Sequence, residues 1–388
     1  MSSPKKQIRI ACAGGGTGGH IYPMIAVIDE LQKILQSGEY ENISSRLYYF
    51  GMPHMYAPYF TRRNVIIKHV FGFKLRRYFS LLNIVDALKA PLSFFQAFWH
   101  MFWVMPDVLF SKGGSGAIPV VLAAVFFRVP IVVHESDVAA GLSNKIAFRF
   151  AARISISFQA TLDALTQYKQ ERIAVVGNPI RSVFTNQNPQ NTQEKAKKIF
   201  GFDELLPVIV VLGGSQGSER INDFMLDNAS ELIKKYQVLH QTGTNNFADA
   251  KNELAVASKN FIDPERQRYK LVDFVGDEIV DVLRAADIVI SRAGSGAIFE
   301  CAACAKASIL IPLKGSAGNH QVLNAYEYQK NGACVVVEED NLKTGILFQE
   351  IDKIFQNQTR KTAMEQAALA FAKPQAAFIL AREIIRLA

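Results

Sequence analysis

Two hydrophobic patterns alternate along the chain. Short continuous apolar runs rich in Val and Ile predict strands, and between them lie longer stretches whose apolar positions return at helical spacing. In the first half the runs fall at residues 8–13 (IRIACA), 46–51 (RLYYFG), 108–114 (VLFSKGG), 131–135 (IVVHE), 153–158 (RISISF) and 173–179 (IAVVGNP). The second half repeats the scheme at 208–214, 237–243, 269–276, 287–294, 308–313 and 333–339. Strands that are apolar throughout, separated by helical stretches, belong to parallel sheets covered on both faces. The fold class that follows is α/β, with two Rossmann-like, doubly wound parallel-sheet domains facing a cleft. The boundary falls near Asn178-Pro179, after which comes the polar stretch TNQNPQNTQEK, so domains at 1–180 and 181–371 are expected.

Four glycine turns punctuate this pattern: GGGTGGH (14–20), KGGSGAIP (112–119), GGSQGS (213–218) and RAGSGAIFE (292–300). Each follows a predicted strand and can open a helix, where unpaired N–H groups face an anion. After the first turn the helical pattern PMIAVIDELQKIL is read from Pro23. Glycine is ordinary in α/β turns, but four such turns divided between two halves favour a ligand with phosphates at more than one place. The spacing Gly14-x-Gly16-x-x-Gly19 satisfies the dinucleotide fingerprint. The second strand, however, ends LYYFGMPH and lacks the carboxylate that would hold a ribose. No turn carries Gly-Lys-Ser/Thr, so a phosphate-transferring P-loop is excluded. Glu300, early in an otherwise apolar helical stretch, is the better candidate for vicinal ribose hydroxyls.

Composition narrows the class. At 388 residues, 49% hydrophobic and 20% charged, the chain is read as soluble, globular and long enough for two domains. Cys301 and Cys304 form one C-x-x-C without a second pair or a nearby His, and are read as helical core positions in a reducing cytosol. No secretory signal is expected, since the residues ahead of the first strand have no apolar signal core. The aromatic-rich run at residues 90–106, free of Asp, Glu, Lys and Arg, is interrupted by Pro91 and is too short to span a bilayer. Residues 1–180 hold 19 Lys and Arg against 10 acids, while the remainder holds 24 against 25. All the excess positive charge therefore sits in the first half, which points to an anionic partner there.

In order and spacing, GGGTGGHIYP, KGGSGAIP, HESDVAAGLSNK, GNPIR, LGGSQGS, RAGSGAIFE and GNHQVLNA resemble the bacterial MurG family. These are GT-B glycosyltransferases of family 28. The resemblance runs over nearly the whole chain. It implies inverting transfer of N-acetylglucosamine from UDP-GlcNAc to a lipid-linked N-acetylmuramyl-pentapeptide, lipid I to lipid II, in peptidoglycan synthesis. It implies acceptor binding by the first domain, donor binding by the second, and a final helix, 372–388, that returns to the first.

Site residues follow from the same resemblance. Ser215 and its turn would contact the donor diphosphate and Arg181 would reach the donor. Backbone at Val275 would read uracil, Glu300 would hold ribose hydroxyls, and Gln321 would bond the GlcNAc hydroxyls. Thr17, Gly18 and Gly19, with Ser295, Gly296, Ala297, Ile298 and Phe299, complete the donor set. Gly15, Gly16, Gly114, Ser115 and Glu135 form the acceptor set. His20 would take the proton from the attacking hydroxyl, work that suits an imidazole near neutral pH. Asp137, which would also contact the donor sugar, shares the candidacy for base. Two positions depart from the common pattern: Asp137 stands where Asn is usual, and Ser115 where Tyr is usual. No Asp-x-Asp occurs, so neither a metal site nor a required cofactor is expected, with Mg²⁺ only a loose helper.

Residues 60–103 hold both tryptophans, nine further aromatics, seven Lys and Arg, and one acid, Asp86. This mixture favours an anionic membrane surface, with the protein peripheral on the cytoplasmic face. Nucleic acid is excluded as a partner by the absence of any recognition motif. Two alternatives stay open: a GT-B enzyme with another lipid acceptor, such as diacylglycerol, and a noncatalytic UDP-sugar-binding protein.

Overall fold

A computed structural model describes residues 6–15, 17–40, 42–72, 82–185, 191–214, 216–262 and 265–388. Gly16, Ser215 and the basic pair Arg76 and Arg77 lie outside the described residues. The chain divides into two compact units, Met1–Ser182 with Lys373–Ala388, and Val183–Ala372.

The first unit holds β1 (Lys6–Ala13), β2 (Ile43–Phe50), β3 (Ile66–Lys68), β4 (Val108–Ser111), β5 (Ile131–Glu135), β6 (Arg153–Ile156) and β7 (Ile173–Val175). They form one parallel sheet in the order β3-β2-β1-β4-β5-β6-β7. The second unit holds β8 (Val208–Leu212), β9 (Gln237–Gln241), β10 (Tyr269–Val272), β11 (Ile288–Ser291), β12 (Ser308–Leu310) and β13 (Cys334–Val336). Its parallel sheet runs β10-β9-β8-β11-β12-β13. The central strands β4, β5, β8 and β9 are buried at every position, as expected of strands covered on both faces.

In each sheet the winding reverses beside the first strand, between β1 and β4 in one and between β8 and β11 in the other. Ligands of open α/β sheets bind outside the carboxyl ends of the strands at such reversals. All four glycine turns lie there, one after each of these four strands. Topology alone thus marks one candidate location in each unit.

Three local readings change. The first helix is Gly18–Gln36, so it starts before Pro23, which is buried inside it. Pro91 likewise lies within the helix Leu82–Val104 instead of interrupting it, with its ring exposed. Cys301 is buried in the helix Ser295–Ala303, whereas Cys304 caps its end and is half-buried. The final helix, Ala376–Leu387, is strongly amphipathic. Its Ala377, Leu380, Ala381, Ile384 and Ile385 join one core with Ile21, Ile25 and Ile28 of the first helix. Each of the leucine and isoleucine side chains contributes about 1.5–3 kcal/mol on full burial. That spacing anchors the C-terminus to the first unit.

Candidate active site

In the first unit the turn after β1 delivers the chain into its helix with Thr17 as N-cap, in extended conformation. The amides of Gly18 and Gly19 begin the helix, where no carbonyl four residues back is available to them. His20 already bonds the Thr17 carbonyl through its own N–H, at 3.1 Å. Its side chain turns back to Thr17, Nδ1 standing 3.3 Å from Oγ1. Tyr49, buried at the end of β2 and stacked on Phe60, donates its hydroxyl to the Gly14 carbonyl at 2.6 Å. The glycine turn is therefore held from below by a phenol.

The turn after β4 packs directly against it. Gly114 has φ +88°, and a Cβ there would stand 2.6 Å from the Gly15 carbonyl oxygen, so only glycine permits this approach. The Gly114 amide also bonds Ser143 Oγ at 3.0 Å. Gly15, Gly114 and Ser115 are thereby gathered beside Thr17–His20.

Beneath them lies a buried polar network. Lys112, 1% exposed, places Nζ 2.7 Å from His134 Nδ1 and donates to Ser136 Oγ. His134 Nε2 meets the Gly177 carbonyl at 2.9 Å, and Ser136 Oγ donates to Asn178 Oδ1 at 2.9 Å. Burial lowers the Lys112 ammonium to about 8, against the carboxylates of Glu135 and Asp137, which pull it up. The same burial, with Lys112 adjacent, holds His134 well below the ordinary imidazole value. The ring is neutral, and its tautomer follows from its partners. The ammonium only donates and the carbonyl only accepts, so Nδ1 accepts and Nε2–H donates.

Glu135 is buried with both oxygens engaged. Oε1 accepts from the Asp137 amide at 3.0 Å, and Oε2 from the Gly141 amide at 3.0 Å and Asn144 Nδ2 at 2.9 Å. Burial and the Asp137 charge push its carboxyl above the usual range, partly offset by these donors. Glu135 therefore shapes the loop that presents Asp137. Arg181, nearly buried, lays its guanidinium over Tyr22 of the first helix, 4.9 Å from the ring centroid.

The second unit repeats the plan. Gly217, φ +78°, abuts the Thr242 carbonyl after β9, where any Cβ would clash. Ser218 caps the helix Glu219–Asp227 and accepts from the Ile221 amide. Arg292 closes this turn from beneath: it donates to Ser218 Oγ at 2.6 Å, Glu339 Oε1 at 2.5 Å and the Ile311 carbonyl at 3.2 Å. Ser295, Gly296, Ala297, Ile298, Phe299 and Glu300 form the opening turns of Ser295–Ala303. Ser295 keeps a buried hydroxyl with no partner among the described residues. Glu300 is half-buried on this helix, Phe299 and Ile298 being buried beside it. Gln321 opens the helix His320–Lys330, its Oε1 accepting from the Leu313 amide at 3.0 Å. That helix is tied to the Arg292–Gly294 turn by Asn324 Nδ2, which donates to the Ala293 carbonyl at 3.2 Å. Val275 lies buried in the loop after β10.

Sequence reading had passed over Lys112, His134, Asn178, Arg292 and Glu339. All but Glu339 lie inside the quoted motifs, but the motifs do not say that these side chains turn inward, which burial reveals.

Residues 10–156 match the glycosyltransferase family 28 N-terminal domain, and residues 208–378 match the glycosyltransferase family 28 C-terminal domain. A Bacillus cereus protein is 33% identical over 364 residues, covering 92% of this chain and 95% of its own. It is named UDP-N-acetylglucosamine--N-acetylmuramyl-(pentapeptide) pyrophosphoryl-undecaprenol N-acetylglucosamine transferase 2. The chain belongs to glycosyltransferase family 28. A Treponema denticola relative carrying the same transferase name is 32% identical, over 96% of both chains. Among solved structures, Acinetobacter baumannii MurG shares this family-28 fold with a TM-score of 0.70 and 20% identity, covering 98% of this chain and 99% of its own. The fold also extends to the UDP-GlcNAc 2-epimerase of Neisseria meningitidis, solved with UDP-GlcNAc bound: TM-score 0.68, 12% identity, 98% of this chain and 100% of that one.

Proposed function

We propose that this family-28 chain transfers N-acetylglucosamine from UDP-GlcNAc to a lipid-linked N-acetylmuramyl-pentapeptide, the lipid I to lipid II step of peptidoglycan synthesis. The observation that carries the reading is the match to transferases of that name across 92–96% of the chain and nearly their whole length. The site's build supports it. The second unit presents helix N-termini to an anion, a carboxylate at Glu300 suited to ribose hydroxyls, and a neutral amide at Gln321 suited to sugar hydroxyls. The unpartnered Ser295 hydroxyl supports a polar ligand at that helix start. A helix N-terminus after the Ser215 turn suits the departing diphosphate, and a guanidinium such as Arg181 suits an anionic donor.

The acceptor pyrophosphate sits at the paired turns of Gly14–Gly19 and Gly113–Ser115 in the first unit. His20 is the general base. When its Nδ1–H donates to Thr17 Oγ1, Nε2 is left with the lone pair that accepts the proton of the attacking hydroxyl. Displacement at the anomeric carbon is then direct and inverts its configuration.

The acceptor is a lipid, and an exposed aromatic surface supports docking at the cytoplasmic face of the membrane. Phe95, Trp99, Phe102 and Trp103 on Leu82–Val104 are each more than half exposed and touch in series, and the equally exposed Phe126 on the next helix joins Phe102 through Phe127. Among the described residues no helix is long and apolar enough to cross a membrane.

Radiolabelled UDP-GlcNAc incubated with short-chain lipid I should yield labelled product and stoichiometric UDP. Label appearing instead on a diacylglycerol control moves the acceptor to another lipid, and UDP-GlcNAc binding without turnover makes the protein a binder. His20→Ala should lower kcat by about 10²–10⁴ while leaving UDP-GlcNAc affinity nearly intact. Near-normal turnover in His20→Ala with collapse in Asp137→Asn would transfer the role of base to Asp137. Glu300→Ala should weaken UDP binding by about 1.5–3 kcal/mol, the worth of hydrogen bonds to a charged group, as read by calorimetry.

A further inference from the structure

The stretch Gly177–Arg181 is the last part of the first unit before the chain passes into the second at Val183. Two of its residues are held from one atom. From Lys112 Nζ one arm runs through the His134 ring to the Gly177 carbonyl, and the other through the Ser136 hydroxyl to Asn178 Oδ1. Lys112, His134 and Asn178 are each no more than 1% exposed, so water does not compete for these bonds. Asn178 Nδ2 has no partner among the described residues, which leaves the Ser136 bond to fix its side chain. Arg181 lies three residues farther on, stacked over Tyr22. Lys112 also packs against the acceptor turn, since a Cβ on Gly14 would stand 2.9 Å from the Lys112 Cβ.

A buried lysine is a costly way to hold a loop if holding is its only task, because an apolar side chain of similar volume fills the space without desolvating a charge. What an apolar residue cannot do is donate in two directions at once. We infer that Lys112 is a positioning residue for glycosyl transfer: through His134 and Ser136 its ammonium fixes Gly177 and Asn178, and so sets where Arg181 stands.

This rests on the proposed function, because it is donor binding that gives the place of Arg181 its consequence. The groups facing the ammonium are His134, Glu135 and Asp137. His134 stays neutral, and both acids favour the charged lysine. With its value near 8, the tether is intact at pH 7 and weakens as the ammonium is lost above pH 8.

The test uses the full-length protein and three readouts: amide hydrogen exchange of residues 176–182, calorimetric affinity for UDP-GlcNAc, and kcat and KM with short-chain lipid I. Lys112→Met fills the same volume. It should speed exchange in 176–182 but not in β1 or β8, and weaken donor affinity and kcat/KM by about 3- to 30-fold, the range of positional couplings. Ser136→Ala, which cuts only the arm to Asn178, should give a smaller effect of the same kind. Lys112→Arg, which keeps the charge, should recover part of the loss. In the parent, kcat/KM should fall between pH 7 and pH 9, and Lys112→Met should lack that limb.

Unchanged exchange and donor affinity in Lys112→Met overturn the inference, as does faster exchange with kcat and KM untouched. So does an alkaline limb that persists in Lys112→Met. If Lys112→Met does not fold, Ser136→Ala and the parent's own pH series decide. A parent that binds UDP-GlcNAc yet transfers nothing to lipid I defeats the acceptor reading alone, and exchange with donor affinity still decides Lys112.

Discussion

The turns that follow β4 and β11 are written in nearly the same letters. Residues 111–118 read SKGGSGAI and residues 291–298 read SRAGSGAI. Both follow a strand that pairs with the first strand of its sheet, and in both the basic residue turns inward. The outcomes nevertheless differ. In the second unit the helix begins at Ser295, so that Ser295 and Gly296 lie in its first turn. In the first unit the helix begins only at Ala117, two residues later in the shared pattern. The cause is the third letter and what it permits. Gly113 and Gly114 both take positive φ, which carries the turn up against Gly15, whereas Gly294 sits at φ −67° with open space where a Cβ would go. One turn forms a wall with its neighbour, and the other opens directly into a helix.

The cations diverge as well. Arg292 meets a carboxylate, Glu339, and both side chains are nearly buried. Lys112 meets a neutral imidazole and a hydroxyl. The second unit thus balances its buried charge locally, while the first leaves its own exposed to titration. A planar guanidinium can serve Ser218, Ile311 and Glu339 at once, a geometry that no lysine reproduces.

Removing Glu339 should cost the most. Glu339→Ala strands the Arg292 guanidinium among buried groups, and loss of one partner of a buried pair destabilises by about 3–5 kcal/mol. Chemical denaturation should show a lower midpoint with an unchanged slope. A loss below about 1 kcal/mol, the ceiling for exposed pairs, would mean that this cation is as self-sufficient as Lys112 and that the contrast is false.

The glycines offer the next test. Gly114→Ala meets both a left-handed backbone and the Gly15 carbonyl, and should destabilise by about 1–3 kcal/mol. Gly294→Ala, at an ordinary φ with no close neighbour, should cost no more than about 1 kcal/mol, the difference between glycine and alanine at an N-cap. Equal losses in thermal unfolding would break the distinction between a packed turn and an open one.

Much of this was legible in the residues. Continuous apolar runs located twelve of the strands, because strands buried on both faces leave a pattern that needs no partner to be recognised. They missed β3, three residues long at the sheet edge, where Ile66 is exposed and nothing alternates. Pro23 misdirected the start of the first helix, since proline usually marks a first turn, and here the Thr17 cap precedes it. The glycine turns that lead from strand to helix could be read from their spacing. The support beneath could not. Lys112 and Arg292 look like surface cations in any linear reading, and only the shared S-[K/R]-x-G-S-G-A-I pattern hints that they occupy matching places. Glu135, expected as an acceptor contact, also has a part that no linear pattern reveals: its oxygens hold the Asp137 loop.

The smallest effect, and the one most specific to the contrast, is the pH dependence of stability. Lys112 titrates near 8 when folded, below its ordinary value of 10.5. Between these limits the unfolded chain binds the proton and the folded chain does not, so the parent gains stability as pH rises. Below pH 8 the cost of burying the charged ammonium is fully present. Above 10.5 it is gone. Lys112→Met removes this dependence, so the stability difference between the two proteins should move in the parent's favour by about 1 kcal/mol from pH 8 to pH 9, bounded by about 1.4 kcal/mol per unit. Arg292→Met should show no such drift, because a guanidinium keeps its proton throughout. Parallel denaturation curves at the two pH values locate the effect. Equal drift in both variants would place the titrating group elsewhere and leave the two cations physically alike.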